Sequence, residues 1–224
     1  MHHLTVIARR WKTNRVDTRY TVVKHLRGTE TLQTGGVQSA LPFRKGGVGD
    51  LGENSPMFVH LRLHTEFSVV DGTNRIDDVV AAAAKDGQPA LAVTDLNNLF
   101  GAIKFYKQAR AKGVKPVIGA EVVLEGVGGD ISALARIVLL VQDKRGYLNL
   151  SELLARAYTQ NVVKGQAVVK LDWLRELNEG LIVLAGAQAG PVGQALIQGD
   201  EERAVAAALL LAGIFPHRFY VELQ

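Results

Sequence analysis

The chain has 224 residues, 47% hydrophobic and 21% charged, with no cysteine and a formal net charge of +4. That apolar content can build a real core at this length, and no apolar run reaches the ~20 residues a spanning helix needs. The lack of cysteine excludes a disulfide scaffold, a thiol nucleophile and any Cys-ligated metal.

The first quarter reads unlike the rest. Residues 1–56 hold nine Lys/Arg against four Asp/Glu, whereas the remainder holds 17 against 18. All the basic excess is therefore local, and the main body has no net pull toward nucleic acid. Residues 1–56 lack an apolar face of three turns, and glycine crowds their second half. They read as a basic, disordered arm or as a non-native extension translated upstream of a true start at Met57. They are not a secretory signal, because no apolar h-region follows the basic residues. A G-x-G-x-x-G match at 47–52 lacks the strand before it and the helix after it that a dinucleotide turn needs, so it reads as chance.

From Met57 the pattern becomes regular. Phe58–Leu63 alternates and predicts a strand. Arg75–Lys85 predicts a helix, with Ile76, Val79, Val80, Ala83 and Ala84 on one face, Asn74 as N-cap and Gly87 as its stop. Ala90–Thr94 predicts a short buried strand. Ala102–Lys112 predicts a helix whose inner face is Ala102, Phe105, Tyr106 and Ala109. Strands are expected at 115–124 and 136–141. A helix at 147–158 would align Leu150, Leu153, Leu154 and Ala157. There follow a short helix at 171–177, a strand at 181–184, helices at 192–197 and 201–212, and a last strand at 218–223. Helices alternating with short apolar strands argue for an α/β protein with parallel strands covered on both faces. The chain stops within its last predicted strand with nothing to cover it, which reads as a truncation.

Sites in parallel α/β folds gather at strand C-termini. Strand one offers His60, Arg62 and His64 on one face, followed by Asp71-Gly72. Strand two ends in Thr94-Asp95, then Leu96-Asn97-Asn98, strand three carries Glu121, strand four opens with Arg136, and strand five ends in Ala185–Gln188. Two imidazoles near carboxylates are one reading of a divalent-metal site. A hydrogen-bonded core histidine is the other, and Asp-Gly is a common turn pair. No G-x-S-x-G elbow or phosphate-binding P-loop occurs. His60 and His64 lack the glutamate of a zincin H-E-x-x-H helix.

These same residues carry a resemblance. Phe58–Ser68 with Val70-Asp71-Gly72 resembles the opening of the PHP (polymerase and histidinol phosphatase) domain of bacterial DNA polymerase III alpha subunits. The segments 94–102 and 115–121 resemble its second and third motifs, and 146–150, 180–184 and 219–224 extend the likeness. It runs from Met57 to Gln224, so the expected organisation is an extension at 1–56 and a PHP domain, incomplete at its C-terminus, at 57–224. The resemblance implies an α/β fold, a distorted (β/α)7-type PHP barrel truncated before its last strand, with up to three metals in metal-binding members.

The family's ligand positions carry over unevenly. His64, Asp71 and Glu121 match expected ligands. The first histidine of the H-x-H motif is Arg62, the second motif's histidine is Leu96, the strand-four histidine is Arg136, and the cysteine after strand five is Ala187. The resemblance thus implies vestigial metal-site positions at Arg62, His64, Asp71, Asp95, Leu96, Glu121, Arg136 and Ala187. No catalytic residue and no bound metal are expected, with His64, Asp71 and Glu121 as the residual candidates. Arginine cannot deprotonate to ligate a metal. Arg62 and Arg136 are instead expected to neutralise Asp71, Asp95 and Glu121.

The function implied is that of an N-terminal fragment of a replicative DNA polymerase subunit, a metal-depleted structural and docking module inactive on its own. The parent chain would synthesise DNA with Mg in a palm domain outside this stretch. No cofactor is expected in the fragment. The resemblance further implies a cytoplasmic bacterial protein, with the proofreading exonuclease subunit, other replicase subunits and DNA (through the parent chain) as partners, and no membrane. Two rivals remain: an active metal-dependent PHP phosphoesterase or 3′–5′ exonuclease, and a free-standing PHP protein ending near residue 224 that acts as a scaffold or degenerate pseudo-enzyme.

Overall fold

The computed structural model describes residues 22–25, 58–69, 71–127 and 134–223. The glycine-rich match at 47–52 and most of the basic extension lie outside them. Four residues of that extension form β1 (Val22–His25).

The sheet is organised around β3 (Lys115–Glu125), its longest strand. One edge of β3 pairs with β4 (Leu134–Val141) antiparallel, from Gly119 opposite Leu140 to Glu125 opposite Leu134. The other edge is divided. Lys115–Ile118 pair in parallel with β2 (Ala90–Val93), and Val123–Glu125 pair in parallel with β6 (Gln166–Lys170). Beyond β4 the order continues through β7 (Leu181–Leu184, antiparallel) and β8 (Phe219–Leu223, parallel) to β1 (antiparallel). At the far end β5 (Val162–Val163) pairs with β6 in a hairpin. Among the described residues the ladder runs from β1 to β5 without closing.

This α/β sheet is mixed, where the apolar pattern predicts parallel strands. The loop length explains the difference at β3 and β4. Only residues 126–133 separate them, and a parallel crossover needs about a dozen residues or more. The last strand is not uncovered as expected, since β8 is paired on both edges. The predicted strand at 58–63 is an extended segment alongside β2. It is held by the His60–Leu91 bridge and by the backbone bonds Ala92 N–H to His60 O and Thr94 N–H to Leu63 O.

Alternation along the strands separates two faces. Ala120, Val122, Leu124, Ile137, Leu139 and Val183 point outward into the larger core. That core is covered by α3 (Lys144–Gln160), α4 (Leu171–Glu176), α5 (Pro191–Ile197) and α6 (Glu201–Ile214). Val138, Leu140 and Leu184 point inward with Ala92, Leu61 and Tyr220. Glu121, Arg136 and Glu222 occupy alternate positions of this inner face, so strand periodicity alone brings them together.

A separate cluster packs α1 (Ile76–Lys85) and α2 (Ala102–Ala111) on β2, through Ile76, Val80, Ala83, Phe105 and Ala109 against Leu91 and Val93. Of the residues expected on the buried face, Phe105 is fully buried but Tyr106 is exposed. Asn74 is not the helix cap. Its amide donates to the His64 carbonyl at 3.1 Å, and Arg75 takes the cap position without a side-chain bond.

Helix α3 begins where Asp143 accepts from the Gly146 amide at 2.9 Å. There the chain passes so close to Gly180 that a Cβ on Gly146 would lie 1.9 Å from the Gly180 carbonyl oxygen. The obstructing atoms of Gly180 are backbone and cannot swing aside. Gly146→Ala is expected to destabilise the fold by about 1–3 kcal/mol, the usual cost of overpacking. Urea unfolding of the variant checks this, with an unchanged midpoint as the contrary result.

Candidate functional site: a buried ionic cluster on the inner face

Glu121 is fully buried near the middle of β3. It lies where the β3 edge changes partner from β2 to β6. The gap between the two is stitched by the chain after β2. Leu96 bridges Glu121 in parallel, Asn97 N–H donates to the Glu121 carbonyl at 2.7 Å, and Glu121 N–H faces the Thr94 and Asp95 carbonyls. Asn97 adopts a left-handed φ of 54° there. Its side chain donates to the Ala167 carbonyl and accepts from Val123 N–H, which ties β6 and β3 together.

The Glu121 carboxylate is enclosed by cations. Arg62 Nη2 donates to Oε2 at 2.5 Å, and Arg136 Nη1 donates to Oε1 at 3.4 Å. Arg136 reaches it diagonally across the antiparallel pair, since its own register partner is Val123. His64 links two acids, with Nε2 3.1 Å from Glu121 Oε2 and Nδ1 2.8 Å from Asp71 Oδ1. Only the doubly protonated imidazolium donates to both. Arg136 also lies 3.6 Å from Asp71, and Arg62 lies 3.7 Å from Glu222.

The titration of these groups follows from competing effects. Burial disfavours a charged His64, but the hydrogen bonds and charges of Glu121 and Asp71 outweigh it and raise the imidazole above its ordinary value. Burial likewise works against ionised Glu121, but His64, Arg62 and Arg136 outweigh it and hold the carboxyl below its usual range. Glu222 goes the other way. Burial pushes it up, against the opposing pull of Arg62. Neither of its oxygens makes a well-formed hydrogen bond among the described residues.

Asp95 is not neutralised by an arginine as expected. Its carboxylate accepts from Thr65 N–H at 2.6 Å, Thr65 Oγ1 at 2.7 Å and Ser68 Oγ at 2.7 Å. Hydroxyls and an amide satisfy it without any countercharge. Ser68 in turn accepts from Leu96 N–H at 3.0 Å, which locks the second loop to the first. Ala187 is buried in a 3-10 turn (Ala187–Ala189) after Gly186. His60 stands apart from the cluster, edge-on to the Phe58 ring. Gln188 is exposed.

The sequence pattern did not single out Glu222, Thr65 or Ser68, and it offered Asn97 only as a polar residue after strand two. Glu222 had a signal, since it shares the inward phase of β8 with Tyr220. The roles of Thr65, Ser68 and Asn97 depend on loop geometry that periodicity does not encode.

The metals implied by the resemblance do not fit this donor set. Both nitrogens of His64 face carboxylates, and a guanidinium occupies the oxygen of Glu121 that His64 also reaches. Among the described residues no three His, Cys, Asp or Glu side chains are arranged to hold a metal ion.

Two outcomes follow. Arg62→Ala leaves the wholly buried Glu121 without its closest cation and should cost about 3–5 kcal/mol, as for a broken buried pair. Chemical denaturation measures it, and a loss below about 1 kcal/mol counts against the cluster as a structural element. The second concerns pH. Because the folded state holds the His64 proton more tightly than the unfolded chain does, its contribution is complete below pH 6.5 and is lost as pH rises through the elevated folded value. The Glu121 contribution is complete above pH 4.5 and is lost as pH falls through its lowered value. The stability difference between wild type and His64→Gln should therefore be largest between these limits and shrink toward alkaline pH. A difference independent of pH from 5 to 9 would contradict it.

Comparison with known proteins agrees with the motifs. The PHP domain model matches residues 60–224. The DNA polymerase III alpha subunit of Pseudomonas fluorescens is 46% identical over 167 residues, covering 75% of this chain and 14% of that protein. The alpha subunit of Escherichia coli K12 is 37% identical over 171 residues, covering 76% of this chain and 15% of that protein. The chain thus spans about one seventh of the length of these relatives. Among solved structures, an amidohydrolase from Chromobacterium violaceum aligns with a TM-score of 0.38 at 20% identity, over 69% of this chain and 49% of that one. With the family model matching most of its length, the chain belongs to the PHP domain family.

Proposed function

We propose that this chain is the PHP portion of a replicative DNA polymerase III alpha subunit, and that it works as a folded platform without phosphoesterase activity. The observation that carries the second half is the guanidinium of Arg62 on the buried carboxylate of Glu121. A hydrolytic PHP site needs that carboxylate free to hold a metal that polarises phosphate and activates water. Here the same oxygen is committed to a fixed cation. The other replaced positions support the reading, because Leu96 and Ala187 offer no donor atom and Arg136 offers only N–H groups.

The first half rests on the likeness to alpha subunits, in which the matched stretch is a small part of a long chain. DNA synthesis would belong to the rest of such a chain, with its Mg-dependent palm. The near-neutral body favours protein partners over DNA. The proofreading exonuclease subunit and other replicase subunits are the expected ones, in the cytoplasm. No helix among the described residues is long and apolar enough to cross a membrane.

Two measurements test the reading. After equilibration with Mn2+ or Zn2+ and removal of free metal, the purified chain should carry well under one ion per molecule and leave p-nitrophenyl phosphate and single-stranded DNA intact. Two or three bound ions with hydrolysis would establish the phosphoesterase rival instead. An antibody raised against residues 57–224 should detect, in extracts of the source cells, a polypeptide of the relatives' length. A sole product of 24.2 kDa would overturn the polymerase assignment.

A further inference from the structure

The near-zero charge of the body hides a segregation. Between Leu99 and Ala120 the chain carries five Lys/Arg and no Asp/Glu, which leaves the rest of residues 57–224 with 12 against 18. Helix α2 holds Lys104, Lys107 and Arg110, and Lys112 and Lys115 follow it directly. All of these cations are exposed. Lys104 is committed, to Glu66 at 2.9 Å and to Asp77 at 3.7 Å. The other four make no side-chain hydrogen bond or ion pair among the described residues. A cation in the last turn favours the helix dipole, but that effect fades within a turn and does not account for all four.

The same helix is apolar at its other end. Phe100, just ahead of it, is 74% exposed, and Ile103 is 69% exposed. Ile103, Tyr106, Lys107 and Arg110 recur at three- and four-residue spacing, so they share the face opposite the buried Ala102, Phe105 and Ala109. Val69 is exposed as well, on the loop that Lys104 and Asn98 tie to the start of the helix through Glu66 and the Phe67 carbonyl. A row of large apolar side chains rimmed by cations is the pattern of an interaction surface, not of scattered exposed residues.

We propose that the outer face of α2 is a docking surface for an acidic, amphipathic segment of a partner protein. Large apolar side chains of that segment lie on Phe100, Ile103 and Tyr106, and its carboxylates meet Lys107, Arg110, Lys112 and Lys115. The apolar half supplies the burial, and the unpaired cations set the direction in which the segment lies. At 1.5 Å per residue the helix is about 15 Å long, so a partner helix of roughly three turns covers it. A continuous polyanion fits less well. A nucleic-acid strand running from the cations toward the aromatic end meets Glu66 and Asp77, and the rest of the body is acidic. The surface deepens the platform reading and rests on it for the existence of a partner, but it uses no residue of the buried cluster.

Photocrosslinking in the source cells tests this on the native polypeptide. p-Benzoylphenylalanine in place of Tyr106 keeps an aromatic ring in the surface, and the same replacement of Tyr158, exposed on α3, is the control. Irradiation should give a discrete protein adduct from position 106 and none from 158. Mass spectrometry should place that adduct on a segment with large apolar residues and net negative charge. Adding Lys107→Glu/Arg110→Glu should cut its yield about tenfold while circular dichroism of the purified chain stays that of a folded protein. Lys112→Glu/Lys115→Glu serves as the second charge reversal should the first lose its fold. No adduct above the Tyr158 control overturns the proposal. So does an adduct that a folded charge-reversal variant leaves unchanged, one mapped to a neutral or basic segment, or one removed by nuclease. None of these results bears on metal binding or phosphate-ester hydrolysis, whose appearance would overturn the platform reading by itself.

Discussion

A carboxylate removed from water must find compensation, and Glu121 imposes that constraint on the inner face of the sheet. Leaving one ionised acid unpaired in the interior would cost more than a small domain can spare. Arg62, His64 and Arg136 reach it from three different parts of the chain: the extended segment before α1, the following loop and β4. Asp71 is drawn in by His64 and Arg136 in turn. The cluster therefore does mechanical work. It ties the extended segment alongside β2 to β3 and β4, with Glu222 at its margin bringing in β8.

Asp95 shows a second solution to the same problem a few residues away. It is as deeply buried as Glu121 but uses only neutral donors. The difference follows from what surrounds each group. Asp95 sits among Thr65 and Ser68, where short side chains can close in. Glu121 lies on the inner face, where the side chains within reach are Arg62, His64 and Arg136. Two acids of one site are thus stabilised by different chemistry, according to the donors within reach of each.

Much of this was legible in the sequence. The faces of α1 and α3, and the strand at 181–184, followed from spacing because a single core face decides them. The meeting of Arg62 and Arg136 with Glu121 followed from the motif likeness. What failed was decided by other forces. Asn74 abandons its cap for the His64 carbonyl, a tertiary bond that no local pattern reveals. The β5–β6 hairpin went unread because its turn, Lys164-Gly165, places a lysine where φ is positive, and Asn or Asp is the usual signal there. The antiparallel β3–β4 pair was masked by strands apolar enough to pass for parallel ones. Asp95 was assigned an arginine because its hydroxyl partners look like ordinary loop residues.

The fork in the β3 edge has a consequence for how such a site can change. The stitches across it are main-chain bonds at Leu96, Asn97 and Glu121, so the identity of the Leu96 side chain does not decide whether that seam holds. Arg136 likewise sits within the β3–β4 ladder, whose hydrogen bonds any non-proline residue can make. At positions 96 and 136 the side chain that sets the chemistry is thus separate from the main-chain bonds that hold the sheet together. A protein built this way can lose one activity position by position and keep its architecture throughout, provided each new side chain settles the charge on Glu121.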